Sequence, residues 1–382
     1  MWCDERLLLI RMQPLGIIPD ERLQYMPRDI IPRHEYCFWL HDEITRLLVE
    51  ATQSGHVEFW HDLLQDALRK NGQSADDESI WTKVAEAGGI VSTPIKLDIL
   101  LGLIADTMHF IYEALTAFEK RKFNVAYALL RKPLTENLII ISKLIQNDDA
   151  LIKSFADGSL QTKQVMQIDP KDCVSLFDGV IKDLYLQDFA TGDLIYKIIF
   201  DKKTPNGLQL NMQKSMHLIT TRHPALATPK FGLNRIFHYE HGDDNYNVYN
   251  TLPILLFFIL QISLKGFSKY FQIHEITVNE ILIRSVGLFG NLYEGGLDSL
   301  SRSLNKQINF LFKCEWCDQS DVKIRKKYAP LFYLKDQVHC KNCERLSHTP
   351  FTYLLRSGAL NLFVEKSGKL PSEYAKLIPN GV

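Results

Sequence analysis

The 382 residues carry 46% apolar and 11% aromatic side chains against 23% charged ones, a composition that buries a core and excludes intrinsic disorder as a description of the whole chain. Forty-four Lys and Arg against 45 Asp and Glu leave a formal net charge of -1, so no global field draws the chain to nucleic acid or to an anionic membrane. The longest nearly apolar run, Leu252 to Leu264, is interrupted by Pro253 and Gln261 and falls short of the roughly 20 residues that cross a bilayer. Met1 to Arg11 sets Asp4 and Glu5 ahead of Leu7 to Ile10, the reverse of a secretion signal. The expectation is a soluble, cytoplasmic protein that does not bind membrane.

Between Met1 and about Arg33, Pro14, Pro19, Pro27 and Pro32 stand too close together for a long helix, and the segment reads as an extended arm or cap. Helical patterning follows in Asp42 to Ala51 and Val57 to Arg69, then a polar break over Asn71 to Asp77. Residues 1–90 are therefore an arm with a small helical section. Thr93-Pro94 supplies an N-cap and a proline at the first helical position. After it Leu97, Leu100, Leu101, Ile104, Met108, Ile111, Leu115 and Phe118 recur at three- and four-residue steps, which predicts a long amphipathic helix. Phe123 to Ile145 repeats the pattern after a short turn, so the two should form an antiparallel hairpin.

Further helices are predicted over Lys171 to Tyr185, Leu194 to Phe200, Asn247 to Tyr270 and Thr277 to Phe312. The last contains Gly287, Gly290, Gly295 and Gly296, each costing about 1 kcal/mol in a helix. Either it breaks near Gly295-Gly296 or another backbone packs closely against it. No strand-and-helix alternation and no fixed-period repeat precedes residue 313, so 91–312 reads as one helical domain. The predicted fold is mainly α, a multi-helix bundle with a small C-terminal β-containing zinc ribbon over 313–349. Strands are expected at Val322 to Ile324, Leu331 to Leu334 and Val338. Residues 350–382 supply one last helix, Phe351 to Val364, and a tail.

Four of the seven cysteines are grouped as Cys314-Glu315-Trp316-Cys317 and Cys340-Lys341-Asn342-Cys343, with 22 residues between the pairs. That is zinc spacing. Four thiolates close the coordination sphere and leave no position for a substrate water, so the expected zinc is structural, one per chain. The rival, a pair of redox motifs, needs a strand leading into a helix start, and no such pattern surrounds either pair. His339 and His348 are surplus to a four-cysteine site, and the isolated Cys3, Cys37 and Cys173 have no assigned role. Lys323, Arg325, Lys326 and Lys327 form a basic run beside Tyr328, Phe332 and Tyr333, the mixture of charge and stacking faces that single-stranded nucleic acid uses. Residues 313–382 carry 12 Lys and Arg and 7 Asp and Glu, a balance of +5, while the remainder carries 32 and 38, a balance of -6. A solvated face beside a structural zinc is the competing reading.

No Gly-x-x-x-x-Gly-Lys-Ser/Thr loop, Gly-x-Ser-x-Gly elbow or His-Glu-x-x-His pair occurs, which removes the common signatures of nucleotide hydrolysis, acyl transfer and catalytic zinc. Two stretches remain: Ala128 to Leu138, holding Arg131 and Glu136, and Asn234 to Asp243, holding Arg235 and His241. An arginine among leucines on a mostly buried helix needs an acidic or phosphate partner, and Glu136 is the local candidate.

The Leu-Leu-Arg…Glu pattern on the second helix of a hairpin, followed a hundred residues later by a His-Gly segment, resembles the uncharacterised bacterial branch of the HEPN-like helical superfamily. The resemblance covers roughly Ser92 to Asp244. It departs from the family pattern in setting Arg131 and Glu136 five residues apart with Pro133 between them, about 140° around an ideal helix. Only a proline kink or π-bulge would let them converge. What the resemblance implies is an Arg, then four to six residues, then a His, the histidine moving a proton and the arginine holding the scissile phosphate without metal. Arg28 to His34 and Arg235 to His241 both fit, but Pro32 interrupts the first, leaving Arg235 and His241 as the implied catalytic pair, brought opposite a second copy by twofold association. The implied function is RNA binding or metal-independent endoribonuclease action, in a bacterial toxin or antiphage defence effector. The alternative is a non-catalytic helical interaction or adaptor module, stabilised by its zinc and docking a partner protein.

Overall fold

Proline marks the start of several helices, Thr93–Glu119, Pro170–Lys182 and Leu252–Phe271 among them. The computed structural model describes residues 14–74, 78–160, 168–219, 227–228, 230, 243–294, 296–317 and 322–360, and most of these are helical, as the composition and periodicity predict. They fall into two units, one drawn from 14–40, 185–189 and 273–360 and the other from 41–184 and 190–272. The ribbon segment thus shares a unit with residues near the N-terminus, an arrangement that cuts across the four segments read from the sequence.

In the second unit, Thr93–Glu119 carries Pro94 in its first turn, where the missing N–H is harmless. Leu97, Leu100, Ile104, Met108, Ile111, Leu115 and Phe118 form the buried stripe that their spacing predicts. Ser92 rather than Thr93 occupies the cap position, and its hydroxyl turns back to the Gly89 carbonyl at 3.0 Å. The next helix, Phe123–Lys132, packs against this one. At Pro133 the ladder loses a donor, and Pro133–Asn137 forms a π-helical turn before Leu138–Gln146 resumes the α geometry. Leu252–Phe271, with Pro253 in its first turn, buries residues on nearly every side, as a core helix does. It is separated from Asp243–Tyr249, so the single helix expected from Asn247 is two. Among the described residues Thr93–Glu119 and the stretch Asn245–Phe271 are long and apolar enough to cross a membrane by length and composition alone; 39% of the most apolar 18-residue window of the first and 89% of that of the second are buried inside the protein. Pro170–Lys182 and Gly192–Phe200 lie close to their predicted bounds. Glu78–Ala87, Asp148–Ala156 and Gln209–Met216 are helices that the periodicity did not reveal.

In the first unit the proline-rich arm is more ordered than its composition suggests. Ile31–Gln53 is one 23-residue helix beginning eleven residues before the predicted Asp42, because Pro32 sits in its first turn. Its residues to Leu40 belong to this unit. The fully buried Glu35 accepts backbone N–H bonds from Leu15, from Ile17 at 2.8 Å and from Ile18 at 3.2 Å, which ties the preceding segment down and satisfies its buried donors. The helix Glu275–Tyr293 ends before the Gly295-Gly296 pair, and Ser299–Gln307 restarts with Asp298 capping Ser301 N–H at 2.7 Å. Ala329–Lys335 packs on Glu275–Tyr293 and is helical, correcting the strand expected at Leu331 to Leu334, since Pro330 favours a helix first turn. Val322 to Ile324 is not a strand either. The two-stranded antiparallel sheet is β1, Gln337–His339, paired with β2, Leu346–His348, with Val338 opposite Ser347. The expected last helix is shorter than predicted: Phe351–Arg356 is helical and is capped at Ser357, with Gly358 at φ 71° ending it before the predicted Val364; residues from 361 on lie outside the described residues.

Candidate metal centre

The β1–β2 hairpin brings its own cysteine pair to one point. Cys340 N–H donates to the Arg345 carbonyl at 2.9 Å, closing Cys340-Lys341-Asn342-Cys343 into a tight knuckle. Cys314-Glu315-Trp316-Cys317 forms the facing turn, and the four Sγ atoms all lie within 4.8 Å of one another. Cys314 and Cys343 stand 3.4 Å apart and Cys317 and Cys340 3.8 Å apart. Cys314 and Cys340 are buried, Cys317 and Cys343 half-buried. The four are placed to hold a metal ion.

Neighbouring polar groups orient the sulfurs. Ser347 on β2 donates its hydroxyl to Cys314 Sγ at 3.5 Å and accepts Glu315 N–H at 3.2 Å, while the Asn342 amide donates to Cys317 Sγ at 3.4 Å. The Ser347 hydrogen bond leads the effects that draw the Cys314 thiol down to about 6, whereas burial pushes Cys343 up. Such donors to sulfur are the usual support of a thiolate ligand set.

The module is fastened to Glu275–Tyr293 by Arg284. Its guanidinium donates to the Tyr333 carbonyl, to Asp336 at 3.2 Å and to Thr352 at 2.6 Å, pairs with Glu280 at 3.4 Å, and stands over the Phe351 ring at 5.6 Å. The Tyr333 hydroxyl meets Ser301 at 2.8 Å and donates to Asp298 at 3.0 Å. Sequence reading missed Arg284, although it is an arginine within an apolar helix, the same signal that drew attention to Arg131.

Arg131 itself corrects that argument. It and Glu136 are half-buried, and despite the π-turn between them neither enters an ion pair among the described residues. Lys132 instead pairs with Asp106 at 2.9 Å, and the Asn137 amide donates to the same carboxylate at 2.7 Å.

The basic run is not one face. Lys323 and Lys327 are exposed and Arg325 is half-buried. Lys326 turns inward to the Glu294 carbonyl at 3.3 Å, and burial lowers its pKa. Phe332 and Tyr333 are fully buried and offer no stacking surface; Tyr328 stacks on His339 at 4.0 Å with Lys327 over its ring at 5.3 Å. An exposed aromatic beside the cysteines is one that sequence reading passed over, Trp316, 58% exposed, with the Arg345 guanidinium 4.9 Å from its ring centroid. Its signal was available as a tryptophan inside a Cys-x-x-Cys turn.

Arg235 and His241, the implied catalytic pair, lie outside the described residues. For the other matching spacing, Arg28 is exposed while His34 is fully buried, edge-on to Phe38. Cys37 and Cys173 are buried thiols, the second pushed up to about 12 by burial; Cys3 lies outside the described residues. Compared with protein-family models, with curated proteins and with solved structures, the chain matches none.

Proposed function

We propose that the four cysteines hold one structural zinc ion and that the module built around it binds single-stranded RNA. Thiolates about 2.3 Å from a common tetrahedral ion stand about 3.8 Å from one another, close to the 3.4 and 3.8 Å separations of the two pairs. With four sulfurs the sphere is closed, so zinc here supplies folding free energy rather than an activated water. The free thiols of Cys37 and Cys173 suit a reducing compartment such as the cytoplasm.

The observation that carries the RNA reading is the company the closed centre keeps: Lys323, Lys327, Lys341 and Arg345 are exposed on the segment that folds around it, alongside exposed Trp316. Cations with an aromatic face are what a flexible, charged strand of bases requires. With no ion pair at Arg131 or Glu136 among the described residues, the HEPN-like resemblance rests on Arg235 and His241, and endoribonuclease action by that pair in a twofold assembly, as a toxin or antiphage effector, is the enzymatic form of the same reading. Purified zinc-loaded protein incubated with labelled single-stranded and duplex RNA tests both forms at once. Single-stranded RNA should bind more tightly than duplex, with affinity falling as salt rises. Cleavage that survives chelation and is lost in His241→Ala supports the enzymatic form; no binding to either RNA overturns the proposal in favour of a protein-docking module.

A further inference from the structure

Trp316 is held as a platform. Its turn is fixed at both ends by Cys314 and Cys317, its indole Nε1–H donates to the Leu346 carbonyl at 2.9 Å, and Arg345 stands over the ring at 4.9 Å. Even so, 58% of the residue stays exposed. Solitary exposed apolar side chains need no explanation, but an indole whose rotamer is pinned and whose ring is paired with a guanidinium has already given up the freedom that a ligand would otherwise have to remove.

Resting on the RNA-binding reading above, we propose that the Trp316 ring is the stacking site for one unpaired base of a single-stranded RNA, with Arg345 neutralising the adjoining phosphate. The chemistry favours this occupant. A base has a π-face of any sequence to lay on the indole, and Arg345 both polarises that ring and offers a fork to phosphate oxygens. A cationic side chain of a partner protein would meet Arg345 as a like charge. Lys313 and Lys341 are exposed beside the two turns and extend the positive field. The opposing carboxylates are Glu315, exposed on the same turn, and Glu344, exposed and 3.1 Å from His339.

The test is fluorescence anisotropy with a labelled single-stranded RNA of mixed A and U, using the full zinc-loaded chain and the variants Trp316→Ala, Trp316→Phe, Arg345→Gln and Glu315→Gln, each checked for zinc content. Stacking by one base corresponds to about 5-fold to 150-fold in affinity. Trp316→Ala should weaken binding within that range, Trp316→Phe should retain part of it, Arg345→Gln should weaken binding and flatten its salt dependence, and Glu315→Gln should tighten it. Should Trp316→Ala lose zinc, Trp316→Phe and Arg345→Gln decide: parental affinity in both overturns the site. Parental affinity in a zinc-loaded Trp316→Ala also overturns it, as it would if the ring served a peptide, while leaving RNA binding elsewhere on the chain intact. Absence of RNA binding by the parent overturns this proposal and the reading beneath it together.

Discussion

Tyr333 lies so close to Gly287 that a Cβ on the glycine would stand 2.1 Å from the ring's Cζ. The ring belongs to Ala329–Lys335 and the glycine to Glu275–Tyr293, so the missing side chain lets one helix seat an aromatic flat against another. Gly287→Ala would gain about 1 kcal/mol of helix propensity, but the overlap with a fully buried ring costs more, typically 1–3 kcal/mol and upward for an overpacked core. The expected outcome is a lowered denaturation midpoint in urea. A midpoint equal to or above that of the parent would show that Tyr333 is not confined as described.

Asp298 sets a pH dependence on the same contact. Burial pushes its carboxyl up to about 6 against the hydrogen bonds from Ser301 and Tyr333 that oppose the rise, and nearby Glu294 adds to it. A carboxyl whose folded pKa exceeds its unfolded value of about 3.9 binds the proton more tightly when folded. Its contribution is therefore full below about pH 4 and is lost as pH rises through 6. About two units correspond to roughly 3 kcal/mol. Asp298→Asn keeps an N-cap acceptor and removes the titration, so its stability should exceed the parent's at pH 8 and the difference should shrink toward pH 4. Equal stability of the two proteins at pH 8 would contradict the burial argument.

Lys96 acts with the opposite sign in the other unit. Its ammonium is buried, 2.6 Å from Asp149, 3.5 Å from Asp148 and 3.1 Å from the Gly89 carbonyl. Burial alone would raise the Asp148 carboxyl, but hydrogen bonds from Lys269 and Tyr270, with the charges of Lys269 and Lys96, outweigh it and hold it at about 2. Such a depressed carboxyl contributes stability above its unfolded pKa, and that stability fades as pH falls from about 4 toward 2. Lys96→Met should cost about 2–3 kcal/mol at pH 7, less than a fully buried pair because Asp149 is half exposed, and the cost should shrink on acidification. A loss unchanged between pH 7 and pH 3 would point to packing rather than charge.

Much of the fold was legible because periodicity reports burial directly. Thr93–Glu119 begins within one residue of where Thr93-Pro94 places it, and its buried stripe is the one its leucines and isoleucines draw. The spacing of Cys314, Cys317, Cys340 and Cys343 was sufficient for the cluster, since two short turns leave few ways to arrange four sulfurs. Errors came where a local signal had two structural meanings. Pro32 was read as a breaker, yet it sits in a helix's first turn. Leu331 to Leu334 is an apolar run too short for its period to separate strand from helix. Arg131 and Arg284 present the same sequence signal, an arginine among aliphatics, and only the tertiary neighbours Asp336, Thr352 and the Tyr333 carbonyl make the second the paired one. The basic run failed for a related reason: charge is visible in sequence, but the inward turn of Lys326 toward Glu294 is not.

Metal content bears most directly on the proposed account, because the knuckles, the pinned Trp316 and the RNA-binding face all depend on a filled four-thiolate site. Elemental analysis of protein purified without chelator should find one zinc per chain. The Cys340→Ser variant should contain substantially less and should lose protection of Gln337–His348 backbone amides from hydrogen exchange, the binding free energy being part of the module's folding free energy. Protein free of zinc and of any other thiophilic metal, with those amides as protected as in metal-supplemented protein, would contradict the account.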